Sequence, residues 1–329
     1  MKISYRPEID GLRGIAVIAV ILYHAKINII GHRPFEGGFI GVDIFFVISG
    51  YLITSIILRE LIITGSFSFR NFYERRVRRL LPVLLFVMMA FIPFAWLYLP
   101  PAQFIEFSKS IIYSIGFSSN NYFYYSGNEY GAMSAIFTPF LHSWSLSIEE
   151  QYYIIFPAIL LVSYKFFKKY IFIILIILFT LSIFYAHSTT INDSMKSFYF
   201  LHTRVWELLV GSMLAYFECH NKSRCEKRTF NEICSFIGLS LIIFSLILFS
   251  SKSIFHPSFF TLIPIIGTSL IIWFANKGSL IHRLLSNKAI KSIGLISYSL
   301  YLWHYPFFSF AKIGAIVTEN IPKKIILIL

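Results

Sequence analysis

Long apolar stretches recur along this chain with short polar breaks between them, and their length decides what they are. A helix needs about 20 mostly apolar residues to cross the hydrocarbon core of a bilayer. By that measure, crossing helices are predicted at about 10–30, 38–58, 80–99, 143–164, 170–187, 198–217, 233–250, 259–275 and 292–310. A weaker stretch at about 102–119 opens on Pro100-Pro101 and carries Glu106 and Lys109, and a last apolar run begins near Ile325 and is cut at Leu329. The expected fold is all-α: a polytopic transmembrane helical bundle of about 10 spans.

The polar breaks orient the bundle, because short cytoplasmic loops collect Lys and Arg. With the N-terminus inside and 102–119 not crossing, the inner segments hold more than twice as many Lys and Arg as the outer ones. If 102–119 crosses, every later loop changes side and the bias disappears, so the non-crossing or re-entrant reading is preferred. Within this frame Gly65 to Arg79 reads as a cytoplasmic Arg-rich interfacial helix, and about 120–141, rich in Asn, Tyr and Gly, as an outer loop. Residues 1–320 form one transmembrane domain and 321–329 the start of a truncated further span.

Composition agrees with this picture. Of 329 residues 57% are hydrophobic and 14% charged, which makes a water-soluble fold improbable, and the formal charge of +13 is of the kind that inner loops accumulate. No nucleic-acid partner is expected; membrane lipid is. Cys219, Cys225 and Cys234 have no zinc-ligand spacing and are expected to be free thiols, and no metal motif, nucleotide-binding glycine loop or nucleophile elbow is present. The N-terminal segment has no cleavage signal after a short apolar core, so the first span is expected to be retained.

Ionisable groups inside a membrane are costly and become functional candidates for that reason. Arg13 and His24 lie in the first span eleven residues apart, which on a helix returns the side chain to within about 20° of the same face, ~16 Å further along. One reading has both aimed into a common cavity; the other has Arg13 snorkelling to the interface and His24 bonded to a backbone carbonyl. Asp43 lies just inside the outer end of the second span, at a depth where its carboxylate is expected to face and orient the His24 imidazole. A structural His–Asp pair is the competing reading. His142, Glu149, Glu150 and Gln151 open the span at 143, with one of the two carboxylates expected to face the cavity. Arg204 and Glu207, three apart, are expected to neutralise each other as a structural pair. His304 lines the same cavity or sits at the interface. Arg75, Arg76, Arg78 and Arg79 make either a plain inner anchor or a phosphate-binding cluster, since guanidinium forks hold phosphates bidentately. Tyr122, Tyr124, Tyr125 and Tyr130 of the outer loop suit either sugar stacking or interface anchoring.

Taken together, these residues resemble the membrane acyltransferase-3 family of bacterial acetyltransferases. The matching stretches are Asp10-Gly-Leu-Arg-Gly with His24, Gly41-Val-Asp-Ile-Phe-Phe-Val-Ile-Ser-Gly-Tyr-Leu, Phe72-Tyr-Glu-Arg-Arg-Val-Arg-Arg-Leu-Leu-Pro, His142-Ser-Trp-Ser-Leu-Ser-Ile-Glu-Glu-Gln-Tyr-Tyr and Ser297-Tyr-Ser-Leu-Tyr-Leu-Trp-His-Tyr-Pro. They run from residue 10 to residue 306, nearly the whole chain.

The resemblance implies acylation of envelope or exported glycans such as lipopolysaccharide O-antigen, peptidoglycan or exopolysaccharide at the bacterial inner membrane, with acetyl-CoA as donor and no metal. It implies that Arg13 and His24 act with an Arg-x-x-Arg motif, which here is Arg75 with Arg78 or Arg76 with Arg79. The catalytic candidates are then His24, Asp43 and Glu149, and the donor-binding candidates Arg13, Arg75, Arg76, Arg78 and Arg79. His24 takes the proton of the acceptor hydroxyl or briefly carries the acetyl group. Many relatives carry an extracytoplasmic SGNH domain after a further span; the sequence ends before any such domain, and its apolar tail reads as the edge of a longer protein. The family pattern requires 102–119 to cross, against the charge count. The rival function is a transporter or flippase of envelope glycans, which also places charges and aromatics in the membrane.

Overall fold

The computed structural model describes residues 5–28, 34–127, 137–221, 227–250 and 256–326, with side chains through 220 and from 227 to 315 in the last two stretches. Tyr130, Cys225 and residues 327–329 lie outside the described residues. Those described form helices joined by short turns, with no strand among them.

Each of the nine strongly apolar stretches carries a long helix among the described residues. They appear as α1 (Pro7–Ala25), α2 (Gly41–Thr64), α3 (Phe69–Tyr98), α6 (Ser143–Phe166), α7 (Ile171–Asn192), α9 (Leu201–Asn221), α10 (Arg228–Leu248), α11 (Leu262–Phe274) and α14 (Ser297–Ile326). Shorter helices fill the breaks: α4 (Pro101–Ile115), α5 (Ser119–Tyr125), α8 (Ser194–Tyr199), α12 (Leu280–Leu285) and α13 (Lys288–Leu295). Among the described residues, 5 helical segments are long and apolar enough, by length and composition, to cross a membrane: Glu36–Thr64, Phe69–Tyr98, Ser143–Phe166, Lys168–Asn192 and Arg228–Leu248. The chain is a multi-pass membrane protein. The weak stretch at 102–119 becomes the 15-residue α4, which ends at Gly116, followed by the separate α5.

The Arg-rich segment differs from its expected form. Instead of a separate interfacial helix, Arg75, Arg76, Arg78 and Arg79 occupy the early turns of the 30-residue α3, which runs on unbroken past Pro82 and Pro93. The reason is local. Ser68 caps the helix with its side chain accepting from the Asn71 N–H at 3.3 Å, no turn-forming residue separates Arg79 from Leu80, and proline is tolerated inside membrane helices.

The chain divides into two compact units, one of residues up to 67 with 149–298, the other of 68–148 with 299 onward. In the first, α1 begins with Pro7 in its first turn and Glu8 and Asp10 nearby, which suits the positive end of a helix dipole. α2 ends at Gly65, whose φ of 72° is the left-handed cap that glycine adopts without strain. α2 and α9 approach at backbone distance: a Cβ on Gly50 would stand 1.8 Å from the Leu208 carbonyl oxygen, and one on Gly211 2.0 Å from that of Val47. Small residues are what allow membrane helices to come so close. Ile44, Val47, Tyr51, Trp206 and Ala215 pack into the core at this crossing. At the start of α1, Arg6 donates to the Tyr51 hydroxyl at 2.6 Å and pairs with Glu8 at 2.7 Å, while Tyr51 donates to Glu218 of α9.

In the second unit the apolar face of α3 carries Leu84, Val87, Met88 and Phe91. Phe91 meets Phe140, Trp303, Phe307 and Phe310 in an aromatic cluster.

Candidate functional site

α1 is continuous from Pro7 to Ala25, so Arg13 and His24 do share a helix and, by rotation, a face. Arg13 is partly buried, its Nη1 lying 3.9 Å from the Asp10 carboxylate one turn back. His24 sits in the last turn with 9% of its surface exposed and the Tyr23 ring edge-on at 5.0 Å.

Asp43 is not the partner of that imidazole. Its side chain, in the first turn of α2, is fully buried and receives Nη2 of Arg204 at 2.8 Å. Nη1 of the same guanidinium lies 3.0 Å from Glu207 Oε1 and 3.1 Å from His256 Nε2. The pairing follows from the close crossing of α2 and α9: once glycines let the two backbones touch, Asp43 and Arg204 meet, and a guanidinium in an apolar interior takes the nearest carboxylate. Arg204 is thus shared between two carboxylates rather than spent on Glu207 alone. Phe46 and Phe198 flank its faces at 5.3 and 5.8 Å. Asp43 Oδ2 and both Glu207 oxygens are buried without a hydrogen bond.

His256 belongs to this cluster although nothing in the sequence singled it out. A guanidinium can only donate, so Nε2 accepts from Arg204 and Nδ1 carries the hydrogen, which points to Thr261 Oγ1 at 3.1 Å. Burial, aided by the neighbouring Arg204, pushes its pKa well below the usual imidazole value, in keeping with that neutral tautomer. Phe39 packs against His256 at 4.8 Å and against Tyr23 at 5.8 Å, so an aromatic chain runs from the ring next to His24 to the charged cluster.

Of the two carboxylates opening α6, Glu149 is half-buried and accepts from Ser49 Oγ at 3.0 Å and from the Tyr153 hydroxyl at 3.4 Å, while Glu150 is buried. The donor-binding candidates on α3 are largely exposed. Arg78 pairs with Glu74 at 2.6 Å, and Arg76 is half-buried over the Phe72 ring at 6.0 Å. Tyr122 stacks on Tyr113 at 4.7 Å and donates to Glu106, and Tyr125 is exposed. Cys219 and Cys234 are free thiols. Among the described residues no group of three or more His, Cys, Asp or Glu could hold a metal ion.

A family model described as an acyltransferase domain matches residues 6–318. The peptidoglycan O-acetyltransferase OatA of Listeria monocytogenes is 35% identical over 315 residues, covering 92% of this chain and 49% of its own length. The O-acetyltransferase OatA of Staphylococcus aureus is 34% identical over 321 residues, covering 94% of this chain and 51% of its own length. The chain therefore spans about half the length of the curated relatives it matches. No solved structure matches it.

Proposed function

The chain belongs to the membrane acyltransferase-3 family, and on that premise we propose that it transfers an acetyl group from acetyl-CoA to a hydroxyl of a cell-envelope polysaccharide at the bacterial plasma membrane. The observation that carries this reading is the single unbroken helix α1, which aligns a partly buried guanidinium, Arg13, with a buried imidazole, His24. Among envelope polymers, peptidoglycan is the favoured acceptor, because the Listeria relative is named for it.

In the reaction the acceptor hydroxyl attacks the thioester carbonyl; the C–O bond forms, the C–S bond breaks, and the hydroxyl proton ends on the CoA thiol. His24 is the group proposed to carry that proton, or first to accept the acetyl group itself. Arg13 in the first unit, and separately the α3 arginines in the second, are proposed as groups that hold phosphates of CoA. Asp43 acts at one remove: bound to Arg204, it fixes α2 against α9 and orients no imidazole in α1. Glu149 remains a candidate carboxylate, half-buried and hydrogen-bonded.

The test is acetyl transfer from labelled acetyl-CoA to envelope glycans by membranes holding the chain or its His24→Ala variant. The variant is expected to lose about 10² to 10⁴ in rate while keeping its expression and melting behaviour. Full activity of a well-folded His24→Ala would remove His24 from the chemistry. A wild-type chain that moves glycan across vesicles without consuming acetyl-CoA would favour transport instead.

A further inference from the structure

The first turn of α1 places an acidic group beside the proposed donor-binding guanidinium, and the two are held very differently. Asp10 precedes Arg13 by three residues, a spacing that puts both side chains on one helical face. Its Oδ1 lies 3.9 Å from Arg13 Nη1, while its Oδ2 accepts from the Tyr5 hydroxyl at 2.7 Å. The hydrogen bond to Asp10 pushes the Tyr5 pKa up to about 12, which keeps that hydroxyl a donor. The positive end of the α1 dipole supports the same carboxylate.

The backbone under Asp10 is fixed as well. A Cβ on Gly294 of α13 would stand 1.7 Å from the Asp10 carbonyl oxygen. In return, a Cβ on Gly11 would stand 2.0 Å from the Leu285 carbonyl oxygen, and one on Gly14 2.6 Å from that of Ile290. Glycines on both sides thus seat α1 directly against α12 and α13, and the carboxylate is the stationary member of the pair.

Arg13 is the movable member. Its distance to Asp10 exceeds the roughly 2.7–3.2 Å of a hydrogen bond, whereas Arg204 meets its two carboxylates at 2.8 and 3.0 Å. The Arg13 and Asp10 side chains keep 15% and 14% of their surface exposed, against 0% for Arg204 and Asp43. A loose pair in reach of water is exchangeable, and a long arginine stem carries its head away without moving the helix. Tyr5 and the helix terminus stay with Asp10 when the guanidinium leaves, so the carboxylate does not depend on it.

We infer that Asp10 is a positioning residue for Arg13: its carboxylate stands in for a donor phosphate, holds the guanidinium near the first turn of α1, and gives it up when acetyl-CoA binds. This rests on the proposed role of Arg13 in donor binding and adds the residues, Asp10 and Tyr5, that set how tightly the donor is held. The sign of each effect follows. Asp10 competes with the phosphates and repels them, so removing its charge strengthens donor binding. Removing the Tyr5 hydroxyl leaves the carboxylate more reliant on Arg13 and weakens donor binding. A purely structural pair would lower stability in both variants and leave affinity unchanged.

Equilibrium binding of labelled acetyl-CoA to the purified full chain in detergent, read as Kd beside the melting temperature, tests this. Arg13→Gln is expected to raise Kd about tenfold or more. Asp10→Asn is expected to lower it about two- to fivefold, and Tyr5→Phe to raise it about twofold. If Asp10→Asn does not fold, Tyr5→Phe, which removes one hydroxyl from an exposed side chain, carries the test by its sign. A Kd unchanged or raised in Asp10→Asn, or unchanged or lowered in Tyr5→Phe, overturns the proposal; a raised Kd in Arg13→Gln then leaves the donor-binding role of Arg13 standing. An unchanged Kd in Arg13→Gln, or a wild-type chain that binds no acetyl-CoA, overturns that role and the Asp10 assignment with it.

Discussion

Arg204 and the arginines of α3 carry the same group in opposite circumstances. The Arg204 side chain has 0% exposure and is shared between two equally buried carboxylates, whereas Arg78 is 78% exposed beside a Glu74 that is 46% exposed. Desolvating a guanidinium costs several kcal/mol and is recovered only by close, well-oriented carboxylates. Arg204 is thus committed to carboxylates buried with it, and its contribution is to hold α2 and α9 together. An exposed pair such as Arg78 with Glu74 is worth about 0 to 1 kcal/mol, so its arginine can change partners easily. The number of charges in a membrane protein thus says less about ligand binding than how completely each has been neutralised.

The sharpest way to break this contrast is to remove the buried cation. Arg204→Met leaves Asp43 and Glu207 facing apolar surroundings, and a loss of about 3–5 kcal/mol is expected, seen as a lower melting temperature in detergent or as failed membrane accumulation. Arg204→Met combined with Asp43→Asn and Glu207→Gln should regain most of that loss. A single Arg204→Met variant melting with wild type would mean the cluster is not what joins the helices.

A smaller effect is expected from the contact that brings the cluster together. Gly50→Ala forces a Cβ to within 1.8 Å of the Leu208 carbonyl unless α2 and α9 separate. Overpacking of this kind costs about 1–3 kcal/mol, and melting curves would show it. The loss should shrink in a background where the Asp43–Arg204 pair has already been removed. Equal losses in both backgrounds would uncouple the glycine contact from the ion pair.

His256 tests the same cluster through pH. Its folded-state pKa is depressed by burial and by Arg204, so below the unfolded value of about 6.5 the unfolded chain binds a proton that the folded chain refuses. The stability is fully present above about pH 6.5 and falls as pH drops below it, by about 1.4 kcal/mol per unit while the folded ring stays neutral. His256→Gln should flatten the melting-temperature profile between pH 6.5 and 5. A profile unchanged by the substitution would show the ring to be freely titrating in the folded chain.

The apolar pattern made the long helices legible, because a run of about 20 apolar residues has few other uses. The partner of Asp43 was not legible. Depth alone pointed to His24, and only the close approach through Gly50 and Gly211 decides for Arg204, at a sequence separation of 161. His256 gave no signal, because a lone histidine beside a proline in a connection reads as surface. The α3 boundary is hard to read for a related reason: the abrupt change from charged to apolar at Leu80 looks like the end of one element, yet backbone hydrogen bonding ignores the change. Arg13 and His24 were readable together because helical geometry alone relates them, without any partner from elsewhere in the chain.

The smallest effect on stability decides the most about donor binding. Rotation along α3 places Arg76 on the side of the buried Phe72 and Leu80, with Arg79 next to it, while Arg78 turns farthest away and is already paired with Glu74. Of the two Arg-x-x-Arg frames, the second is therefore expected to hold the CoA phosphates. Neutralising either pair to Gln should shift unfolding by no more than about 0.5 kcal/mol, as expected for largely exposed charges. Arg76→Gln with Arg79→Gln should nevertheless raise the KM for acetyl-CoA about tenfold or more, since each lost charge-assisted bond is worth about 1.5–3 kcal/mol, and Arg75→Gln with Arg78→Gln should raise it less. The reverse order would assign the phosphates to the outward-turned frame and make Glu74 the group they displace.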